Sequence, residues 1–421
     1  MSQKDGVKKH ELHALSGAYD TYLEHDESEK NHFDDVCRAF RQHATFVMSQ
    51  WANHQFRLHA LPQSQRDLLP DALKHGTPDF NKRASHYKDA AIRNQFCFDC
   101  MLRHAGVPHS QQQVTPITKV PSDEQMSKIT SVLKSLARDW SAEGKRERDM
   151  AYVPIIEQIK KYMPLSDLLP HDRPTIAVPG AGVGRLAFEL TKLGYAVQGN
   201  EFSLYMLLAS DFMLNGGIAT PDRPLRISPW ILESRNSHSS ADRCRSIPIP
   251  DVDPTTLLNS GGNAMPPIFS MAAGDFVSIY SNPSEAGKWD CVCSCFFMDA
   301  CPNIVEILQI IHKMLKPGGY LMNFGPLLYH WSGPPMRPDD ESPDAYHSRF
   351  QHLDDRYLKS VDLSYEDVKE TMMKVGFEVV EEHVGMESLY TADERSMQST
   401  MYNCVNFVAR KRRSEYVKQE L

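Results

Sequence analysis

The chain has 421 residues, 24% of them charged and 41% hydrophobic, with a formal net charge of -8, the balance of a folded globular protein rather than a fibrous, disordered or membrane one. That charge excludes general binding to nucleic acid or another polyanion, which needs a broad basic face. No run reaches the roughly 18 apolar residues needed to cross a bilayer, the N-terminal MSQKDGVKKHEL lacks the apolar core of a signal peptide, and nine scattered cysteines do not read as a disulfide framework. Free thiols, no membrane partner and a cytoplasmic and/or nuclear location are therefore expected.

Phe33, Val36, Phe40, Ala44, Val47 and Trp51 recur at steps of three and four, which puts them on one helix face, core or partner. Residues 82–104 and 123–140 carry similar helical patterns, separated by the polar stretch 107–122 with breakers Pro108, Pro116 and Pro121. Cys97 and Cys100 form a CxxC near His104, but a tetrahedral zinc site wants four ligands and no second pair matches. Helix packing is the reading there, and no metal is expected. Residues 1–130 are a helical N-terminal region, a cap or arm, or a homodimer interface. GKRERD at 144–149 reads either as a carboxylate-binding stretch or as a solvated helix face, and Arg410 to Arg413 as a solvated tail.

Residues 131–412 read as the catalytic domain. From about residue 175, short apolar runs alternate with amphipathic segments, the signature of a parallel sheet with crossover helices. Strands are predicted at 175–179, 195–199, 268–272, 289–295, 319–324, 377–384 and 403–409, with helices near 184–193, 202–215, 303–315 and 364–375. Ser364 and Asp367 form an N-cap pair for the last helix. Insertions near 217–266, containing SIPIPDVDP, and near 331–360, rich in Pro, Asp and Ser, read as lids, binding loops or decoration.

TIAVPGAGVGRLAFEL runs from a strand through Gly180, Gly182 and Gly184 into a helix. Such a turn needs residues without a Cβ, to take unusual dihedrals and to let a ligand approach the backbone. A dinucleotide fingerprint would want GxGxxG, whereas position 185 is Arg; GxGxG is the form common in class I methyltransferases. Glu201 ends the next apolar strand, placed to accept both hydroxyls of an adenosyl ribose. After the third strand come Gly274, Asp275 and Phe276, a carboxylate for the adenine amino group and a ring to cover the base. LKPGG at 315–319 turns into the fifth strand. The competing readings are a nucleotide-binding oxidoreductase and a non-catalytic Rossmann-like domain.

RDWSAEGKRERDMAYVPI, VPGAGVGRLAFEL, GYAVQGNEFS, PDVDP, AGDF, CFFMDACPN and NFGPLLYHW together resemble the carnosine N-methyltransferase family, with its N2227-like domain, over about residues 123–410. The resemblance implies an α/β fold of the class I methyltransferase type, a Rossmann-like seven-stranded sheet. It implies methyl transfer from S-adenosyl-L-methionine to the imidazole of a small dipeptide, carnosine, giving anserine. It also implies cofactor positions at Arg138, Gly180, Gly182, Glu201, Asp275, Phe276 and Cys295, and substrate positions at Asp299, His330 and Tyr402, with Tyr390 weaker. A glutamine three residues before the family's arginine is Ser135 here, a departure from the family's cofactor positions. A protein-histidine substrate and a silent cofactor-binding scaffold are the alternatives.

Methyl transfer to imidazole needs a neutral ring held in line, and positive charge develops on it as it attacks. Asp299, just past the fourth strand, is placed to bond the ring N–H and take its proton; the competing reading is a cap for the helix starting near Asn303. His330 is a second substrate contact or a loop bystander, and Tyr402 a pocket wall or core. Cys291, Cys293 and Cys295 alternate along one strand, too extended for a compact metal site.

Overall fold

Five to seven mainly apolar residues, bounded by turns, suffice for a buried parallel strand, and this rule builds the centre of the protein. In the computed structural model, residues 27–107, 121–165, 172–257, 267–330, 332–337, 341–353 and 355–413 are described. The start of the chain and residues 108–120 of the polar stretch lie outside them, as do 258–266 and parts of 331–360.

β1 (Thr175–Pro179), β2 (Ala196–Glu201), β5 (Ile268–Ala273), β6 (Trp289–Cys295) and β7 (Leu315–Gly325) pair in parallel. β8 (Phe377–Tyr390) closes the edge, and β9 (Thr400–Lys411) lies between β7 and β8, antiparallel to both. The spatial order is β5-β2-β1-β6-β7-β9-β8, the seven-stranded α/β sheet expected. Strand order reverses between β1 and β6, and in open α/β sheets such a switch point opens a crevice at the carboxyl ends of the strands.

Before the sheet come α1 (Glu27–Arg41), α2 (His43–His59), α3 (Pro78–His104), α4 (Asp123–Trp140) and α5 (Lys145–Tyr162). The face carrying Phe33, Val36, Phe40, Val47 and Trp51 is buried within the chain, so its apolar residues are core. Phe33, Val36 and Phe40 join one hydrophobic cluster with α4, the helix after β1, α6 (Arg185–Lys192), and α7 (Leu204–Asn215). Cys97 and Cys100 are buried free thiols on α3, Cys291 and Cys293 on β6, and no metal-ligand cluster occurs among the described residues.

GKRERD divides between the two readings given for it. It opens α5: Lys145 and Arg146 are exposed, as on a solvated helix face, whereas Glu147 and Arg148 are buried and line the cleft at the switch point. Arg148 donates to the carbonyls of Arg138, Asp139 and Ser141 and pairs with Asp251 at 2.7 Å. Arg185 meets the same Asp251 at 2.6 Å, so the PDVDP loop is clamped by two cations. The first insertion also contains a hairpin, β3 (Leu225–Ile227) with β4 (Ile247–Ile249), whose isoleucines enter the core. This part of the insertion is a fixed layer and not a lid. The second insertion carries α10 (Pro343–Arg349) and α11 (Asp355–Leu358). Between β5 and β6 lies the short α8 (Phe276–Tyr280); α9 (Ile304–Met314) follows β6, and α12 (Tyr365–Val375) carries the expected Ser364–Asp367 capping box.

Candidate active site

The loop leaving β1 holds Gly180 at φ +65° and Gly182 at φ +56°, left-handed backbone that a side chain would strain. A Cβ on Gly180 would lie 2.9 Å from the Phe297 ring, whereas one on Gly182 would enter open space. Gly180 is therefore required by packing, and Gly182 leaves a bare backbone that a ligand can approach. Trp140, at the end of α4, braces this loop by donating its indole N–H to the Val183 carbonyl at 2.9 Å.

Glu201, at the end of β2, reaches back to the loop. Its Oε2 accepts the Gly182 N–H at 2.9 Å, and its Oε1 accepts those of Phe202 and Ser203 at 2.9 and 2.8 Å. Burial raises its pKa, opposed by these three donors. Each carboxylate oxygen offers about two acceptor sites, so Oε2 retains one for a hydroxyl of an incoming ligand.

β5 pairs with β2 in a register that sets Ala273 against Glu201, which brings Asp275 to the same rim. Asp275 caps α8, accepting the Ser278 N–H at 2.9 Å, while its other oxygen takes Arg356 of α11 at 2.9 Å. Burial alone would raise its pKa, but these donors hold it below the usual value. The Phe276 ring packs against Tyr280 and Phe297 with centroids 5.0 and 5.2 Å away, and the residue is 3% exposed. It forms the floor of this region and does not project as a free cover.

At the switch point a cleft opens between the ends of β1 and β6. Arg138, Tyr152, Gly180, Cys295, Phe296 and Tyr390 are among the residues that line it. Arg138 grips the buried Asp139 through two bonds of 2.8 and 2.7 Å, and the Tyr152 hydroxyl donates to the same carboxylate at 3.0 Å. The Cys295 thiol is pushed up to about 12 by burial, with Arg138 opposing, so it is a neutral wall. Glu147 closes the far end, accepting the N–H groups of Thr391 and Ala392 at 2.8 and 2.7 Å.

Beyond Cys295 the chain bends at Phe296, φ +54°. Asp299 follows, 3% exposed, accepting the Leu328 N–H at 2.7 Å. Asn303, and not Asp299, caps α9. Burial raises the Asp299 pKa, against the pull of its backbone donors and the nearby His330 ring. Tyr390 stacks on Phe296 with centroids 5.7 Å apart and meets Tyr402 edge-on at 5.3 Å. Burial raises the Tyr402 pKa, and Tyr390 and Asp299 raise it further. The fold thus brings Asp299, His330, Tyr390 and Tyr402 into one neighbourhood, with His330 exposed in the turn after β7. Tyr152, Phe296 and Arg356 were not anticipated, and Glu147 only as a member of GKRERD. Tyr152 and Phe296 lie inside the quoted motif strings, but nothing in their local spacing marks them.

The family model described as carnosine N-methyltransferase matches residues 116–413. A carnosine N-methyltransferase of Mus musculus is 37% identical over 383 residues, 91% of this chain and 86% of the relative. One from Schizosaccharomyces pombe is 33% identical over 398 residues, 93% of this chain and 99% of the relative. "Carnosine N-methyltransferase unmet" of Drosophila melanogaster is 34% identical, covering 93% of this chain and 82% of that one.

Proposed function

The chain belongs to the carnosine N-methyltransferase family, and from that membership we infer that it transfers a methyl group from S-adenosylmethionine to the imidazole of carnosine, giving anserine. The residues present fit the cofactor: an open backbone at Gly182, a spare acceptor on Glu201, an acid at Asp275 and a cation at Arg138. When bound, S-adenosylmethionine supplies an electrophilic sulfonium methyl for in-line displacement.

In this reading Glu201 holds the ribose, Asp275 the adenine amino group, and Arg138 with the Cys295 wall the amino-acid end. Asp299 carries the substrate chemistry. An ionised, desolvated carboxylate accepts the imidazole N–H, fixes which nitrogen faces the methyl group and stabilises the cation formed as that nitrogen attacks. It is also placed to receive the released proton. The Phe296–Tyr390–Tyr402 cluster offers ring faces for the imidazole, and His330 a polar contact at the rim.

The observation that carries this reading is the buried Asp299 carboxylate, fixed by the Leu328 N–H beside that aromatic cluster. The test is methyl transfer from labelled S-adenosylmethionine to carnosine by the purified protein, with product mass and methylated nitrogen determined. Cofactor binding without anserine formation would overturn the assignment of substrate and leave the cofactor site standing.

A further inference from the structure

Away from the cleft, α2, α3 and the first insertion line a solvent-open cavity of about 350 Å³ that shares no lining residue with it. Its floor is aromatic: Trp51 and Tyr87 lie with ring centroids 4.4 Å apart, 8% and 4% exposed. Its other lining residues include His54, Arg57 and Arg243, and the Arg243 guanidinium sits 5.0 Å over the Tyr87 ring. Arg83 stands one helical turn before Tyr87 on α3.

The electrostatics of this cluster are unusual for the protein. Elsewhere the buried arginines Arg148 and Arg185 share Asp251. Among the described residues, no carboxylate pairs with Arg57, Arg83 or Arg243, although the chain carries a net charge of -8. The Nε atoms of Arg83 and Arg243 and the Tyr87 hydroxyl are buried without a hydrogen-bond partner. Each buried donor left unmade costs about 1–3 kcal/mol, more where charged. Burial together with Arg243, Arg83 and Arg57 lowers the pKa of His54, so all three guanidinium groups act on one point.

Cations without a carboxylate partner at a cavity of small-ligand size, Arg243 half-buried and Arg57 exposed at its rim, over an aromatic floor, are stabilised by an anion with an apolar body. We propose that this cavity binds a small organic anion whose phosphate or carboxylate head is held by Arg57 and Arg243, reinforced by Arg83, and whose body rests on Trp51 and Tyr87. The site is independent of methyl transfer.

Calorimetric titration of the full-length protein with inorganic phosphate, phenyl phosphate and phenylacetate tests this. Phenyl phosphate or phenylacetate should bind more tightly than inorganic phosphate, and the tighter of the two identifies the head group. In Arg57→Ala/Arg243→Ala that affinity should fall roughly tenfold or more, with carnosine turnover unchanged. Tyr87→Phe, which keeps the ring and removes only the hydroxyl, should show a smaller loss and retain the fold. The proposal is overturned if none of the three probes binds, if binding survives the double variant, or if inorganic phosphate matches both organic anions.

Discussion

The indole N–H of Trp140 donates to the carbonyl of Val183, so the last residue of α4 holds the glycine loop from behind. The Arg185 guanidinium lies 5.0 Å over the same indole, and Asp139, the residue before it, anchors Arg138 and Tyr152 in the cleft. The Asp-Trp pair therefore couples the cleft wall to the loop beneath it. Trp140→Phe should keep most of the buried ring yet leave the Val183 carbonyl unpaired, at a cost of about 1–3 kcal/mol. A lower melting temperature with weaker cofactor binding is the expected result; unchanged cofactor affinity would show that the brace does not shape the loop.

Gly182 and Gly180 should respond differently to alanine. Both take positive φ, a strain of about 1–2 kcal/mol for alanine, but only at Gly180 would the new Cβ press on Phe297. Gly182→Ala should lose cofactor affinity, by roughly tenfold, with a modest stability change, whereas Gly180→Ala should lose stability first. Calorimetry paired with thermal unfolding separates the two, and a Gly182→Ala protein with normal cofactor affinity would remove this glycine from the site.

Asp299→Asn preserves shape and removes charge. Loss of the group that orients the imidazole and receives its proton should lower kcat by about 10²–10⁴ while leaving cofactor affinity intact. Because burial raises the Asp299 pKa, the wild-type kcat at saturating carnosine should begin to fall at a pH above the ordinary carboxylate range. That limb should vanish in Asp299→Asn, and a variant with full activity would refute the role given to this residue.

At the C-terminal end of α5, Glu381 of β8 accepts from Lys161 at 2.5 Å, Tyr162 at 2.9 Å and Gln158 at 3.1 Å. These bonds, that from Lys161 foremost, lower its pKa from 4.5 to about 2. A carboxyl whose pKa is depressed in the folded state stabilises it above the unfolded pKa and loses that contribution as pH falls towards the folded one. Urea midpoints should therefore drop further for wild type than for Glu381→Gln between pH 5 and about 2. Parallel pH profiles would mean that the network contributes no net stability.

Much of the sheet and the cofactor rim was written locally. The central strands β1 and β6 are contiguous runs whose burial on both faces demands apolar residues, the turn after β1 needs Gly180 and Gly182 for reasons of backbone geometry, and Asp275 caps the helix after β5. Such requirements act over a few residues, so the sequence exposes them. The short strands Leu225–Ile227 and Ile247–Ile249 carry too little periodicity to announce a hairpin. Within GKRERD the burial of Glu147 and Arg148 is not legible because their partners, Asp251 for Arg148 and the Thr391 and Ala392 amides for Glu147, are about a hundred residues or more away. The substrate end has the same character: Asp299, Tyr390 and Tyr402 come from three separate strand ends, and Arg356 reaches Asp275 from an insertion without pattern. Local sterics and hydrophobic periodicity determined the elements and the turns that cradle a cofactor. Which charges are buried together, and which rings face the carboxylate, was decided only when the sheet order brought distant segments to one edge.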